Sequence, residues 1–323
     1  MDPILSGISL RDAGTALLDL AMPRRCIVCQ RPLTLRERFL CLPCMADFPF
    51  THHWDLSHNP MADKFNALIQ KDLDSSSSSG TDLPVLCSDC SSPGRSSTNP
   101  PVLCSFGPLP AESSTKTPVL CPNGQPEAEP TGESSRRHEP YAFAAALFFY
   151  NSSSDYRHIP WHLKYEGGLA AGRHFARMLG ERLAASPQFA DVDVVIPVPL
   201  HWTRQWRRGY NQAEVIAREL AFALGAELRT DILRRSRRTR TQVRLPMADK
   251  AANVRGAFTL ARNEQGTLAG YDTNAPCSAA HILLVDDTFT TGSTLNACRA
   301  VLRQAFPLPT RISVATLAYV NPD

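Results

Sequence analysis

Short apolar segments alternate with amphipathic segments from Pro140 to the end of the chain. The apolar segments DVDVVIPVP, HILLVDD and RISVATLAYV are short and continuous, which is typical of buried strands. Residues 169–185, 212–224 and 295–306 carry apolar side chains three or four positions apart, as helices packed on a sheet do. The alternation predicts an α/β fold in which a mainly parallel sheet is covered by helices on both faces.

The ends and the inner faces of these helices are also marked in the sequence. Asn211 stands three residues before Glu214, which resembles a capping box, and Gly225 stands where a C-cap belongs. Ahead of the helices, the segment from Tyr141 to Tyr150 predicts a strand or a strand pair. The side chains predicted to face the sheet are Phe175, Leu179, Leu183, Ile216, Leu220, Leu224, Leu295, Cys298, Leu302 and Phe306.

The segment ILLVDDTFTTGSTL, residues 282–295, places two carboxylates directly after a buried strand. Ligands of such sheets collect beyond the carboxyl ends of the strands, so Asp286 and Asp287 stand where a ligand is expected. The stretch from Thr288 to Thr294 then leads into a helix. A strand–loop–helix turn of this kind, rich in hydroxyl groups and holding Gly292, forms an anion cradle. It is not a P-loop, since the loop itself contains no lysine.

Carboxylates beside a phosphate cradle repel the phosphate unless something separates the two charges. A ribose 5-phosphate does so, because the acids accept hydrogen bonds from the ribose hydroxyls while the 5′-phosphate lies in the loop. A divalent cation can bridge the remaining charges. The order of acids followed by cradle therefore predicts a ribose 5-phosphate site. Two other interpretations are a strand end capped by Asp before a Thr-rich turn, and a Mg²⁺-binding phosphoacceptor site, which does not need the hydroxyl-rich stretch.

The same segment resembles the phosphoribosyl diphosphate (PRPP) motif of type I phosphoribosyltransferases. Three further segments resemble ComF proteins, a family linked to DNA uptake in natural competence, and the N-terminal cysteines match that family as well. These segments are DVVIPVPLHWTRQWRRGYNQAEVIAREL at 193–220, HLKYEGG at 162–168 and TRTQVRLPMADKAANVRGAF at 239–258. The resemblance implies a type I phosphoribosyltransferase-like domain that binds PRPP with Mg²⁺.

The resemblance also implies a role for each part of this domain. Asp286 and Asp287 would be the catalytic pair that holds the ribose 2′ and 3′ hydroxyls, and the stretch from Arg234 to Val254 would be a mobile loop that closes over the substrate. The PRPP-binding residues would be Thr288, Thr290, Thr291, Gly292, Ser293 and Thr294. The pyrophosphate loop would consist of Pro197, Val198, Pro199 and Leu200, with Arg204, Arg207 and Arg208 close to it.

The stretch RQWRRGYNQ interleaves arginines with aromatic residues, and it has more than one interpretation. Arginines can steady pyrophosphate, which is a multiply charged leaving group. Arginines beside Trp202, Trp206 and Tyr210 also suit single-stranded nucleic acid, which offers bases to stack and phosphates to pair. A third interpretation is a solvated basic loop with one tryptophan packed in the core.

The segment CIVCQRPLTLRERFLCLPC contains two C-x2-C pairs. Each pair makes a turn that presents two thiolates, and two such turns form a tetrahedral site for a structural Zn²⁺. Four thiols without a metal, or a redox pair, are the alternatives. The predicted ligands are Cys26, Cys29, Cys41 and Cys44, and the nearby His52, His53 and His58 are predicted to be surface residues.

Residues 71–139 are rich in Ser, Pro and Thr, and they repeat the sequence Pro-Val-Leu-Cys three times at a spacing of 17. Such a segment buries too little apolar surface to offset its chain entropy, which predicts a disordered insert. A metal pair at Cys87 and Cys90 is the alternative. The predicted division is a zinc module at 1–70, the insert at 71–139 and a phosphoribosyltransferase-like domain at 140–323.

The overall composition excludes few classes of function. A net charge of +3 on 323 residues identifies no class of partner. No apolar run reaches the roughly 18 residues that a membrane span needs. The start of the chain lacks a basic leader with a long apolar core, so we expect a cytoplasmic protein.

Two classes of function remain. One is a transferase that moves the phosphoribosyl group of PRPP to an acceptor, with the PYAFAAALFFY and HLKYEGG segments on the acceptor side. The other is a non-catalytic module in competence that senses PRPP or binds single-stranded DNA or DNA-processing proteins.

Overall fold

The computed structural model describes residues 23–77, 139–165, 168–236, 256–261 and 280–321. Its α-helices are α1 (Leu42–Ala46), α2 (Pro60–Ser77), α3 (His158–Tyr165), α4 (Leu169–Ala184), α5 (Trp202–Arg208), α6 (Gln212–Leu224) and α7 (Ser293–Leu302). Its strands are β1 (Ala144–Tyr150), β2 (Val194–Pro197), β3 (Glu227–Leu228), β4 (Leu233–Arg235), β5 (Phe258–Leu260), β6 (His281–Phe289) and β7 (Arg311–Val320).

Five of these strands form a parallel sheet in the order β1-β7-β6-β2-β3. Strand β6 lies in the middle of the sheet, with Leu284 opposite Val314 of β7 and Ile196 of β2. Strands β4 and β5 form a separate antiparallel pair. The predicted mainly parallel sheet is therefore confirmed, and β6 brings ILLVDD to the centre of its carboxyl edge.

Helices cover both faces of the sheet, as the alternating pattern predicts. Successive residues of β6 point to opposite faces, since Leu283 and Leu284 belong to different apolar clusters. The first cluster takes large helical side chains from α4 and α6, among them Phe175, Leu179, Leu183, Ile216 and Leu220. The second takes them from α2 and from α7 with the turn after it, namely Phe65, Leu295, Cys298, Leu302 and Phe306. Each of these side chains is buried, and half-buried Leu224 packs at the margin of the first cluster.

The predicted caps of α6 are present. The side chain of Asn211 accepts a hydrogen bond from the N–H of Ala213 at 3.2 Å, and Gly225 ends the helix with a φ of 66°. The segment from Tyr141 forms one strand, β1, rather than a pair.

The N-terminal residues pack on the same core as the sheet. Phe48 stacks on Phe175 with ring centroids 6.0 Å apart, and Trp54 belongs to the same apolar cluster. The N–H of Phe149 in β1 donates to the carbonyl of Pro49 at 3.0 Å. Met1–Ser78 and His138–Asp323 accordingly form one compact unit. The three-part domain division stays a prediction, since residues 79–137, with the repeats and Cys87 and Cys90, lie outside the described residues.

Two predictions about single side chains are wrong. Phe289, expected in the loop after the strand, is instead the last residue of β6 and is fully buried, because the strand continues four residues beyond Val285. His53, expected at the surface, is buried under Tyr319, with ring centroids 5.7 Å apart. His52 and His58 are exposed as predicted.

Candidate functional site

The two adjacent carboxylates at the end of β6 contact different partners. Asp287 forms an ion pair with Lys164 of α3, with 3.1 Å between Nζ and Oδ2. The Lys164 side chain is 27% exposed and that of Asp287 is 15% exposed, so solvent screens this pair only in part. Burial alone lowers the pKa of Lys164, but the combined attraction of Asp287, Asp286 and Tyr150 outweighs it and raises that pKa. Lys164 therefore stands charged beside the acid pair.

Asp286 lies in a less favourable position. Its Oδ1 accepts a hydrogen bond from the backbone N–H of Asp287 at 2.8 Å. Desolvation and the neighbouring charge of Asp287 nevertheless raise its pKa to about 7. The charged form of this buried carboxyl group is stabilised by any ligand that donates hydrogen bonds to it or brings a cation near it.

The segment predicted to form the anion cradle connects the end of β6 to α7. Thr290 to Gly292 form the turn, and α7 begins at Ser293, so the first N–H groups of that helix face the end of the sheet. Gly292 has a φ of 77°, and a Cβ at this position would stand 2.8 Å from the ring of Phe289. Only glycine fits here without strain.

The hydroxyl groups of this segment play different parts. Thr291 Oγ1 and Ser293 Oγ lie 2.9 Å apart and are joined by a hydrogen bond. Thr288 lies on β6, and its buried Oγ1 has no hydrogen-bond partner among the described residues. An unsatisfied hydroxyl that directly follows the acid pair in the chain is a group that a polar ligand can satisfy.

The predicted pyrophosphate loop lies beside the acid pair, because β2 is the neighbour of β6. Pro197 ends β2, and the N–H of Val198 donates to the carbonyl of Val285 at 2.8 Å. Asn211 fixes the loop from the other side, since its Nδ2 donates to the carbonyl of Val198 at 3.0 Å. Pro199 and Leu200 are half-buried and continue the loop toward α5.

Helix α5 presents its tryptophans to solvent: Trp202 is 72% exposed and Trp206 is 87% exposed. The interpretation in which one of them packs in the core is therefore wrong. Arg208 lies over the ring of Tyr165, with 5.4 Å between the guanidinium carbon and the ring centroid. The side chains of Arg204 and Arg207, like the predicted mobile loop beyond Ser236, lie outside the described part of the chain.

An open pocket of about 750 Å³ adjoins the Lys164–Asp287 pair. Tyr150 from β1 lines it, together with residues of α3 that include Trp161, Lys164 and Tyr165. Gln30 from the cysteine segment lines it as well. The structure thus brings together the ends of PYAFAAALFFY and of HLKY, the two segments expected on an acceptor side.

The four predicted zinc ligands converge at one point. Their sulfur atoms all lie within 4.8 Å of one another, and those of Cys29 and Cys41 are 3.5 Å apart. Tetrahedral zinc with bonds of about 2.3 Å places its sulfur ligands about 3.8 Å apart, so the cluster fits the metal. A hydrogen bond from the backbone N–H of Arg31 is the main cause that lowers the pKa of Cys29 to about 7. The four cysteines can therefore bind a zinc ion.

Sequence reasoning missed two lysines at the site. Lys164 belongs to the HLKYEGG segment that resembles ComF proteins, but nothing in the sequence places it near the acid pair. No pattern in the sequence points to Lys64 of α2 as a site residue. The structure places the Nζ of Lys64 2.9 Å from the carbonyl oxygen of Thr290. Both lysines come from helices that lie far from the motif in sequence, so no spacing rule could have found them.

The fold and the site define an α/β protein with an acid pair and a hydroxyl-rich turn at the carboxyl edge of its sheet, joined to a four-cysteine cluster. The chain is 39% identical over 114 residues to competence protein F of Haemophilus influenzae. It is 34% and 32% identical over 103 residues to the DNA utilization protein YhgH of Salmonella typhi and of Escherichia coli K12. These matches support a ComF family assignment.

The matched segments cover only part of each protein. They span 35% of this chain and 44% of competence protein F, and 32% of this chain and 40% of YhgH. No protein-family model matches the chain. A solved structure, TT1426 of Thermus thermophilus, covers 47% of this chain and 84% of its own at 19% identity, with a TM-score of only 0.26. Every helix in the described part of the chain is too short or too polar to span a membrane.

Proposed function

We propose that the chain binds PRPP together with Mg²⁺ at the carboxyl edge of its sheet and acts in DNA uptake. The observation that carries the proposal is the position of Asp286 and Asp287 near the end of the central strand, with Thr288 and Phe289 between them and the turn that starts α7. In this assignment the ribose hydroxyls donate to the two carboxylates. The 5′-phosphate accepts from the N–H groups and hydroxyls of Thr290–Thr294.

The electrostatics of the acid pair support a ligand of this kind. Burial and repulsion raise the pKa of Asp286 to about 7, so the pair gains from hydrogen-bond donors and from cations. A ribose diol supplies two donors, and the carboxylates of Asp286 and Asp287 are the residues that would hold Mg²⁺. When bound, Mg²⁺ neutralises charge on the pyrophosphate of PRPP.

The order of the neighbouring elements along the sheet supports PRPP as the ligand. The loop Pro197–Leu200 lies beside the acid pair through the pairing of β2 with β6, and the helix with Arg208 follows it. Pyrophosphate bound there would lie on the far side of the ribose from the 5′-phosphate. If the site is catalytic, the bond from the anomeric carbon to pyrophosphate breaks and a bond to an acceptor forms. The pocket that Tyr150 and Trp161 line is then the acceptor side.

The names of the relatives supply the biological setting. One is a competence protein and the other a DNA utilization protein. A role in DNA uptake, with competence and DNA-processing proteins as partners, fits both names and is proposed for this chain on that basis.

Calorimetric titration with PRPP and Mg²⁺ tests the proposal. We expect the wild-type chain to bind and Asp286→Asn/Asp287→Asn to lose most of the affinity. Asp55→Asn is a matched control, because Asp55 is an exposed carboxylate outside β6 and the turn after it, and it should bind as the wild type does. A wild-type chain that binds no PRPP would refute the proposal.

Single-stranded DNA is a second candidate ligand, and the exposure of Trp202 and Trp206 favours it. Aromatic faces open to solvent beside arginines are what stacked bases and phosphates require. Trp206→Ala should weaken binding to an oligonucleotide. Phe222→Ala should not, although Phe222 of α6 is equally exposed at 88%. Equal binding by both variants, or an affinity that does not fall with salt, would exclude this use of α5.

A further inference from the structure

Lys64 reaches the turn of the anion cradle from a helix far away in sequence. Its Nζ donates to the carbonyl oxygen of Thr290 at 2.9 Å, across a separation of 226 residues. It also lies 6.0 Å from the centroid of the Phe289 ring. The segment from Thr288 to Thr294 contains no basic residue, so Lys64 brings a positive charge to a turn that lacks one of its own.

Packing of α2 against α7 holds Lys64 in this position. Leu68, one turn further along α2, has its Cδ1 3.0 Å from the point where a Cβ on Gly292 would stand. Two turns further, Asp72 accepts hydrogen bonds from Asn296 at 2.8 Å and from Arg299 at 3.4 Å. These contacts fix α2 along the start of α7, so Lys64 does not need a ligand to reach the cradle.

The ammonium of Lys64 has capacity left for an anion. It carries three N–H groups, of which one is used by Thr290. Among the described residues its partner is a carbonyl and not a carboxylate, so no described ion pair competes for the charge. Burial lowers the pKa of Lys64, which reflects a partly desolvated position where attraction to an anion is screened less than in water.

We infer that Lys64 is the cation of the cradle and binds the phosphate of a phosphorylated ribose together with the first turn of α7. The inference rests on the proposed function and extends it to a residue outside the motif. Lys64 holds the turn through Thr290 and offers its remaining N–H groups to the phosphate oxygens. The cradle is thus built from two distant parts of the chain.

Titration with ribose 5-phosphate tests this assignment, because that ligand carries the phosphate without the pyrophosphate. Lys64→Met should weaken binding roughly tenfold, the scale of one lost charge-assisted hydrogen bond. Lys64→Arg should recover part of it. Lys71→Met, which removes an exposed lysine of the same helix, should bind as the wild type does.

The salt dependence of affinity separates an electrostatic role from a structural one. Between about 50 and about 300 mM NaCl, the wild type should lose more affinity than Lys64→Met, because the variant has one charge fewer to screen. If the wild type binds ribose 5-phosphate and Lys64→Met binds equally well, the inference is wrong while the proposed function stands. A tenfold loss with an unchanged salt dependence also overturns it, since that pattern indicates a deformed turn. If the wild type binds neither ribose 5-phosphate nor PRPP, the proposed function itself fails.

Discussion

Lys164 and Asp287 form an ion pair with 3.1 Å between Nζ and Oδ2, and this pair joins helix α3 to the end of the central strand. The contact compensates one of two adjacent carboxylates that would otherwise repel each other. It also connects the acid pair to the pocket that α3 lines. The stability of this edge of the sheet therefore depends on the charge of Lys164.

Removing Lys164 should destabilise the chain near neutral pH. Lys164→Met leaves Asp287 uncompensated beside Asp286. It should lower the free energy of unfolding by about 1–3 kcal/mol, between the values typical of exposed and of buried ion pairs. Urea unfolding at pH 7.5 measures this change. The double variant Lys164→Met/Asp287→Asn should recover most of the loss, since it removes both charges. A double variant as unstable as the single one would show that the ion pair is not the cause.

Asp286 should make stability depend on pH in a defined direction. Its pKa in the folded chain is raised to about 7, above the value of 3.8 that applies when it is unfolded. Its contribution to stability is thus fully present below pH 3.8 and is lost as the pH rises through 7. As the pH rises from 5 to 8, the free energy of unfolding of Asp286→Asn should therefore increase by about 2–3 kcal/mol relative to that of the wild type. A difference between the two proteins that stays constant over this range would contradict the raised pKa.

His53 should make the stability of the chain depend on pH in the direction opposite to that of Asp286. Burial lowers its pKa to about 4, against 6.5 for an ordinary histidine. The stability that the neutral imidazole contributes is fully present above pH 6.5. About 2–3 kcal/mol of it is lost as the pH falls toward 4. His53→Gln should lose less stability on acidification than the wild type, as thermal unfolding at pH 7 and pH 4.5 would show. His52→Gln, at an exposed position, should follow the wild type, and identical acid sensitivity of all three proteins would refute the account.

The four-cysteine cluster should hold about one zinc ion per chain. Cys41→Ser should abolish the bound metal and lower the thermal midpoint, because this cluster packs on the same core as Phe175. Metal analysis after gel filtration measures the content. Cys298→Ala removes a buried thiol outside the cluster and should keep the zinc. Unchanged zinc in Cys41→Ser would rule out the four-ligand site.

The sequence predicts the fold well because each element carries its own local signal. The caps of α6 at Asn211 and Gly225 and the apolar faces of α4 and α7 depend on neighbours within one or two turns, so spacing alone reveals them. The extension of β6 through Phe289 has no such signal. The polar residues at its end resemble a loop. The strand continues there because Thr288 and Phe289 pair with Ala318 and Tyr319 of β7, and because Phe289 packs against Gly292 and Tyr319.

The candidate site is predicted only as far as the motif extends. The acid pair lies on β6 with the turn after that strand, and the loop Pro197–Leu200 extends from the end of β2. Pairing of β2 with β6 brings them together. Lys64 and Lys164 reach the same place through the packing of whole helices. That packing depends on contacts between residues more than a hundred positions apart, which no local pattern encodes.

A crystal structure of the chain with PRPP and Mg²⁺ would test the proposed site most directly. We expect the ribose hydroxyls within hydrogen-bond distance of the carboxylates of Asp286 and Asp287, and the 5′-phosphate on the N–H groups at the start of α7. Density for PRPP at another place, or a 5′-phosphate away from the turn at Thr290–Gly292, would contradict it.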